Sequence, residues 1–230
     1  MDISLYLLAA IVLGAAFAQG FSGFGFGILA MAALSLFTAD MERASVFVTL
    51  AVIVLTAVLL LLSREHMRVD WPQAVLLFLG ILVGGPVGYW FVLRYGTMPV
   101  CRIVFGICLL LFALNGFLKP HLKRHIPGMY APVFGLFSGL LSGAFSSGGP
   151  PIVLYLYARE DDPRLAVGTL QAVFLSASLY RLVVVLAGHR GIGGALLLQA
   201  AFASPFVVLA TMAGRSEEHT SELQSRQVNS

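Results

Sequence analysis

Long apolar runs separated by short charged connections dominate the chain. Seven such runs cover about residues 4–37, 45–62, 72–93, 99–118, 129–157, 165–187 and 192–213. A helix needs roughly 20 apolar residues to cross the hydrocarbon core of a bilayer, so each run predicts a membrane span. The first and fifth, at about 30 residues, exceed one straight crossing. Each has a Gly/Ser-rich centre, which predicts a span that is broken or partly re-entrant. Irregular backbone at membrane depth persists only where protein or a water-filled cavity satisfies it.

Polar residues collect between the runs: Asp40, Glu42 and Arg43; Arg64 to Asp70; Arg94 and Arg102; Lys119 to His125; Arg159 to Arg164; His189 and Arg190. Counting Lys and Arg on alternate sides gives no decisive bias, so the pattern predicts spans without an orientation. The N-terminal run has Asp2 and no basic residue before it, and it continues too far for a cleavable signal peptide. It is read as the first span. Composition agrees: 59% of residues are hydrophobic and only 11% charged, against about 25% charged in globular domains. The expected class is therefore an all-α, polytopic transmembrane helix bundle in a cell membrane, with the lipid bilayer as its first partner. A net charge of +3 without a basic, aromatic-rich tract argues against nucleic acid. Cys101 and Cys108, seven residues apart on one predicted helix, are too far apart for a disulfide.

An internal duplication is visible. Gln19-Gly20-Phe21-Ser22-Gly23-Phe24-Gly25 lies within the first long run, and Ala144-Phe145-Ser146-Ser147-Gly148-Gly149-Pro150 within the fifth. Each is followed by an Asp-x-x-Arg connection, Asp40 to Arg43 and Asp161 to Arg164, and then by Pro86 or Pro205. These landmarks recur at an offset of about 119–125 residues, a pattern common in secondary transporters with the site at the repeat interface. The expected organisation is a first repeat over 1–120 and a second, truncated one over 127–214. Residues 215–230 form a polar tail, and Arg215 to Ser225 looks like translated sequencing-library adapter; a natural hydrophilic tail is the alternative. On the adapter reading the packed chain ends near Gly214 and an eighth span is missing.

The breaks carry the candidate chemistry. A helix N-terminus presents unpaired N–H groups and partial positive charge, and glycine permits close approach to the backbone. Broken helices at the bilayer midplane can therefore hold an anion with little help from charged side chains. The candidate substrate-binding residues are Gln19, Gly20, Ser22, Gly23 and Gly25 in the first break and Ser146, Ser147, Gly148, Gly149 and Pro150 in the second. Arg181, the only charge well inside a span, completes the set; its alternative is snorkelling toward the nearby helix end. Gln171, Ser178 and Arg181 lie near one helix face. Gly80/Gly84/Gly88 and Gly135/Gly139/Gly143 have the small-xxx-small spacing of helix packing. No acidic residue among the 11 lies inside a span, which disfavours both a buried proton relay and a cation site. The five histidines are likewise outside the spans; His121 and His125 have helical metal spacing but are read as solvated. No metal or other cofactor is expected, and no catalytic set points to an enzyme.

Gln19 to Gly25, Gly139 to Pro151, Asp40-Met-Glu-Arg-Ala44 and the run Val167-Gly-Thr169 to Arg181 together resemble the sulfite exporter TauE/SafE family. The resemblance covers about residues 5–214. It implies about eight spans in two related halves and transport of small anions such as sulfite, sulfonates or related organic acids. The expected function is thus a transporter of a small anion in the bacterial inner membrane, with its site between the two breaks. An anion channel, or a membrane-embedded accessory subunit or enzyme, is the alternative.

Overall fold

The structure, a computed structural model, describes residues 4–63, 67–118, 126–188 and 192–228. Among them are nine α-helices: α1 (Leu5–Ser22), α2 (Phe26–Phe37), α3 (Met41–Ser63), α4 (Trp71–Tyr95), α5 (Pro99–Leu118), α6 (Ala131–Phe145), α7 (Gly149–Arg159), α8 (Pro163–Ala187) and α9 (Gly194–Val228). Six helical segments are long and apolar enough to cross a membrane: α1, α3, α4, α6 with its preceding turn, α8 and α9. The apolar parts of α2 and α5 are shorter. Side chains such as Val83, Trp90, Leu110 and Leu111 point outward, as a lipid-facing surface requires once all backbone groups are satisfied within helices.

Local chemistry explains where the helices begin. The Asp40 carboxylate accepts the Arg43 N–H at 3.0 Å, so Glu42 and Arg43 form the first turn of α3 rather than part of a loop. Asp70 caps α4 through the Gln73 N–H at 3.3 Å. At the start of α8 Asp162 supplies the cap, accepting the Arg164 N–H at 2.9 Å. Pro163 then occupies the first helical position, where its missing N–H costs nothing.

The glycine series settle which helices touch. A Cβ on Gly80, Gly84 or Gly88 would run into the backbone of Pro132, Leu136 and Leu140 in turn. The register climbs on both helices together, so α4 and α6 lie parallel and nearly in backbone contact, as their spacing predicts. Gly20 meets the backbone of Thr211, and Gly214 that of Phe17 and Gly20, so α9 lies along α1 in the same way. Between these pairs stand α3 and α8, which are antiparallel. The Met41 N–H donates to the Gly96 carbonyl at the end of α4, whereas the Thr169 hydroxyl accepts the Asp70 N–H at the start of α4.

Both long runs are interrupted, and the second folds back completely. The Ser138 hydroxyl donates to the Gly148 carbonyl at 2.6 Å, the Phe134 and Tyr155 rings stand 5.2 Å apart, and Gly128 lies beside the Arg159 guanidinium. These progressively wider pairings define an antiparallel hairpin based near Gln73, on the α4 N-terminal side. In the first interruption the Gln19 side chain receives the Phe26 N–H at 2.9 Å, and α2 folds against α1. The end of α2 is held on the opposite side, where Arg102 donates to the Thr38 carbonyl at 2.6 Å.

The tail differs from expectation. Packing does fade after Gly214, with Ser216 and Glu217 exposed, but the helix continues to Val228. No Gly or Pro follows Gly214 to stop it, and Glu, Gln, Arg and Leu sustain a helix. Lys119, His121, Lys123, Arg124 and His125, the most basic connection, and Arg64 to His66 and His189-Arg190 lie outside the described residues.

Candidate functional site

The breaks are built from unusual backbone. Gly23 and Gly25 take φ of 78° and 113°, a left-handed region that glycine enters without a Cβ penalty. Ser146 sits at φ 55°, and a non-glycine residue pays for that conformation sterically. Its hydroxyl is held 3.1 Å from that of Thr49 on α3. The break at Gly23 is held in turn by Gln171 on α8, whose amide donates to the Gly23 carbonyl at 2.5 Å.

The two breaks meet. The Ser147 hydroxyl donates to the Gly27 carbonyl at 2.9 Å, and a Cβ on Gly27 would collide with the Ser146 carbonyl. Around this junction lies a cleft enclosing about 510 Å³ of empty space, its open mouth included. Gln19, Gly25 and Gly27 line it from the first break; Ser146, Ser147, Gly148 and Gly149 line it from the second. Ser138, Ser142, Ser178 and Arg181 add polar groups, while Ile28, Val52, Ile152 and Phe174 give it an apolar wall. Among the described residues no carboxylate lines it.

Not every candidate residue reaches this space. Gly20 packs on α9 instead. The Ser22 hydroxyl is turned onto its own backbone, donating to the Ala18 or Phe24 carbonyl at 2.7 Å. Gly23 shapes the break without lining the cleft, and Pro150 is buried within the start of α7. Pro150 and Pro151 also lack N–H groups, so the first turn of α7 offers the cleft fewer donors than an ordinary helix start.

Gln19 is the polar residue best placed to receive a ligand. It is 2% exposed. Its carbonyl oxygen is occupied by Phe26, yet its amide nitrogen has no partner. Leaving a buried donor unmade costs about 1–3 kcal/mol, which a bound acceptor would recover.

Arg181 does not snorkel. It is 3% exposed and its fork points inward. Nε donates to the Gly143 carbonyl at 3.1 Å, one terminal nitrogen to the Ser45 carbonyl at 2.7 Å and to the Thr49 hydroxyl, and the other to the Ser45 hydroxyl at 2.8 Å. One side chain thereby ties α8 to α3 and α6 at the edge of the cleft. Sequence reasoning missed Ser45, Thr49, Ser138 and Ser142. Their i,i+4 spacing places each pair on one helix face, but nothing in the sequence says which face turns inward.

The family profile described as sulfite exporter TauE/SafE matches residues 7–216. The chain belongs to this family. It is therefore a multi-pass membrane transporter rather than an enzyme. A protein of Cupriavidus necator described as a probable sulfite/organosulfonate exporter TauE is 32% identical over 203 residues, covering 86% of this chain and 77% of the relative. No solved structure matches the chain. The family match begins just after the start of α1 and ends at Ser216, so it takes in both breaks and leaves most of the polar tail outside.

Proposed function

We propose that this transporter carries a small sulfur oxyanion or organosulfonate across the bacterial inner membrane and binds it in the cleft where the two breaks meet. The observation that carries the proposal is the junction itself. Two Gly/Ser motifs about 120 residues apart in sequence touch through Ser147 and Gly27 beside a buried amide donor without a partner. The anionic group is assigned to the Gln19 amide and the backbone N–H groups at the starts of α2 and α7, with Arg181 as fixed positive charge behind them. An organic substituent would rest on Ile152 and Phe174. The relative's description supports the substrate class and the outward direction.

The same reading treats residues 1–120 and 127–214 as related repeats that rock about the cleft. The reciprocal pairing of α4 with α6 and α1 with α9 supports it, as does the antiparallel pair α3 and α8. The test is counterflow in proteoliposomes loaded with sulfite, thiosulfate, an alkylsulfonate or a carboxylate. Saturable counterflow with the sulfur anions, lost in Ser147→Val, is expected. Absence of counterflow with every sulfur anion would overturn the substrate class. A non-saturable flux would point to a channel, and undiminished transport by Ser147→Val would remove the site.

A further inference from the structure

We propose that Thr49 and Gln171 are a matched pair of positioning residues that hold the two breaks and thereby set which face of the membrane the cleft opens to. The proposal rests on the transport reading above, but its observations are separate. Thr49 is the ninth residue of α3, counted from Met41, and Gln171 the ninth of α8, counted from Pro163. Each reaches a left-handed residue at a break: Gln171 grips the Gly23 carbonyl at 2.5 Å, and Thr49 the Ser146 hydroxyl at 3.1 Å.

The two contacts lie toward opposite faces. The start of α8 adjoins the start of α4, through Asp70 and Thr169. The start of α3 adjoins the end of α4, through Met41 and Gly96. The α6–α7 hairpin is based on the α4 N-terminal face, yet its tip is held by α3 near the other face. Conversely α2 ends on the α4 C-terminal face, yet the break preceding it is held by α8 near the N-terminal face. Each break thus reaches past the middle of the bundle and is fastened about 12 Å along the helix that starts on the far face. Unfastening one contact frees one break and opens one face.

Gln171 is fully buried, and its carbonyl oxygen has no partner. A leucine or methionine there would fill the space and leave the Gly23 carbonyl without its donor, so the substitution removes the fastening and little else. Thr49 similarly shares its hydroxyl among Ser146, its own helix and Arg181, which couples that fastening to the charge at the edge of the cleft.

The experiment places a reporter, Ala177→Cys, on the cleft wall in the full chain carrying Cys101→Ala and Cys108→Ala. A membrane-impermeant maleimide is applied separately to each face of sealed, oriented vesicles. Gln171→Met should raise labelling from the α4 N-terminal face, and Thr49→Val from the opposite face. Loss of one hydrogen bond corresponds to a change of roughly two- to tenfold in the open population. Thr49→Ser, which keeps the hydroxyl, should restore the parent pattern. Should either variant fail to accumulate, Gln171→Leu or Ser146→Ala removes the same bond. Labelling raised from the same face by both variants, or from neither, would overturn the proposal. Protection by added sulfite is a separate readout. If sulfite leaves the reporter unprotected while the opposite shifts persist, the site reading fails and the fastening stands.

Discussion

Gly27→Ala is the sharpest single perturbation of the junction. The added methyl has nowhere to go: its nearest neighbours are the Ser146 carbonyl and, at 3.5 Å, the Ser147 Cα, which are backbone atoms of the other break. The two breaks must separate, at an overpacking cost of about 1–3 kcal/mol. Separation also strains the 2.9 Å bond from Ser147 to the Gly27 carbonyl, a further loss of about 1 kcal/mol. The sum of about 2–4 kcal/mol corresponds to roughly a 30- to 700-fold loss of the closed junction, at 1.4 kcal/mol per factor of ten. The cost is local, so the bundle should still fold. Gly14→Ala is the matched control, because its Cβ meets nothing within 4 Å and alanine favours the helix. Counterflow in proteoliposomes, beside thermal unfolding in detergent, reads both. Gly27→Ala should lose at least nine-tenths of transport while remaining folded, as a loss of roughly 30-fold or more implies, and Gly14→Ala should transport normally. Parent-level transport by Gly27→Ala would refute the idea that contact between the breaks is required.

Three further outcomes follow from individual contacts. Gln19→Glu is nearly isosteric and keeps the oxygen that receives the Phe26 N–H, but it replaces the unpartnered donor with a buried carboxylate; the unliganded thermal midpoint should fall and substrate-induced stabilisation should vanish, and persistence of that stabilisation would remove Gln19 from the site. Arg181→Lys keeps a charge yet cannot reproduce the planar fork that reaches Gly143 and Ser45, so stability should fall by about 2–4 kcal/mol; an unchanged thermal midpoint would show that the fork is not a structural tie. Asp162→Ala removes only the α8 cap and should cost about 1 kcal/mol with transport intact; loss of transport without loss of stability would assign Asp162 a role beyond capping.

Which features could be read from the sequence follows from which physical signals are local. Helix breaks leave a local signature, because left-handed backbone favours glycine and α7 begins with two prolines. Gly23, Gly25 and the Ser146–Gly149 segment accordingly stand where the motifs place them. The packing role of Gly80, Gly84 and Gly88 is equally local, since their spacing alone makes a smooth helix face. Orientation is not local. Gly20, Ser22 and Pro150 belong to the same motifs as the lining residues, but a turn of about 100° per residue sends each away from the cleft, and Gly23 leaves the helix in left-handed backbone. Arg181 was marked by its cost in a membrane, yet whether it reaches lipid or core depends on Ser45 and Thr49, more than 130 residues away in the chain. The adapter-like composition of Arg215 to Ser225 predicts an end of packing near Gly214 but says nothing of helix, and α9 continues to Val228.

The distribution of charge ties the architecture to the proposed transport. An anion buried among carboxylates would be rejected, and one seated on several free cations would not be released. The cleft has neither. No carboxylate lines it among the described residues, and its guanidinium already gives most of its N–H donors to the oxygens of Gly143, Ser45 and Thr49. What remains is a diffuse positive potential, one unpartnered amide and the ends of short helices. Even the helix ends are restrained, since Phe26 gives its N–H to Gln19 and Pro150 and Pro151 have none. Partial charges of this kind favour an anion over a neutral solute without a single strong contact. They also belong to two separately fastened segments, so moving either break weakens the binding as it opens a path. Release and opening would then be one event, which is the coupling that a carrier needs and a fixed pore does not.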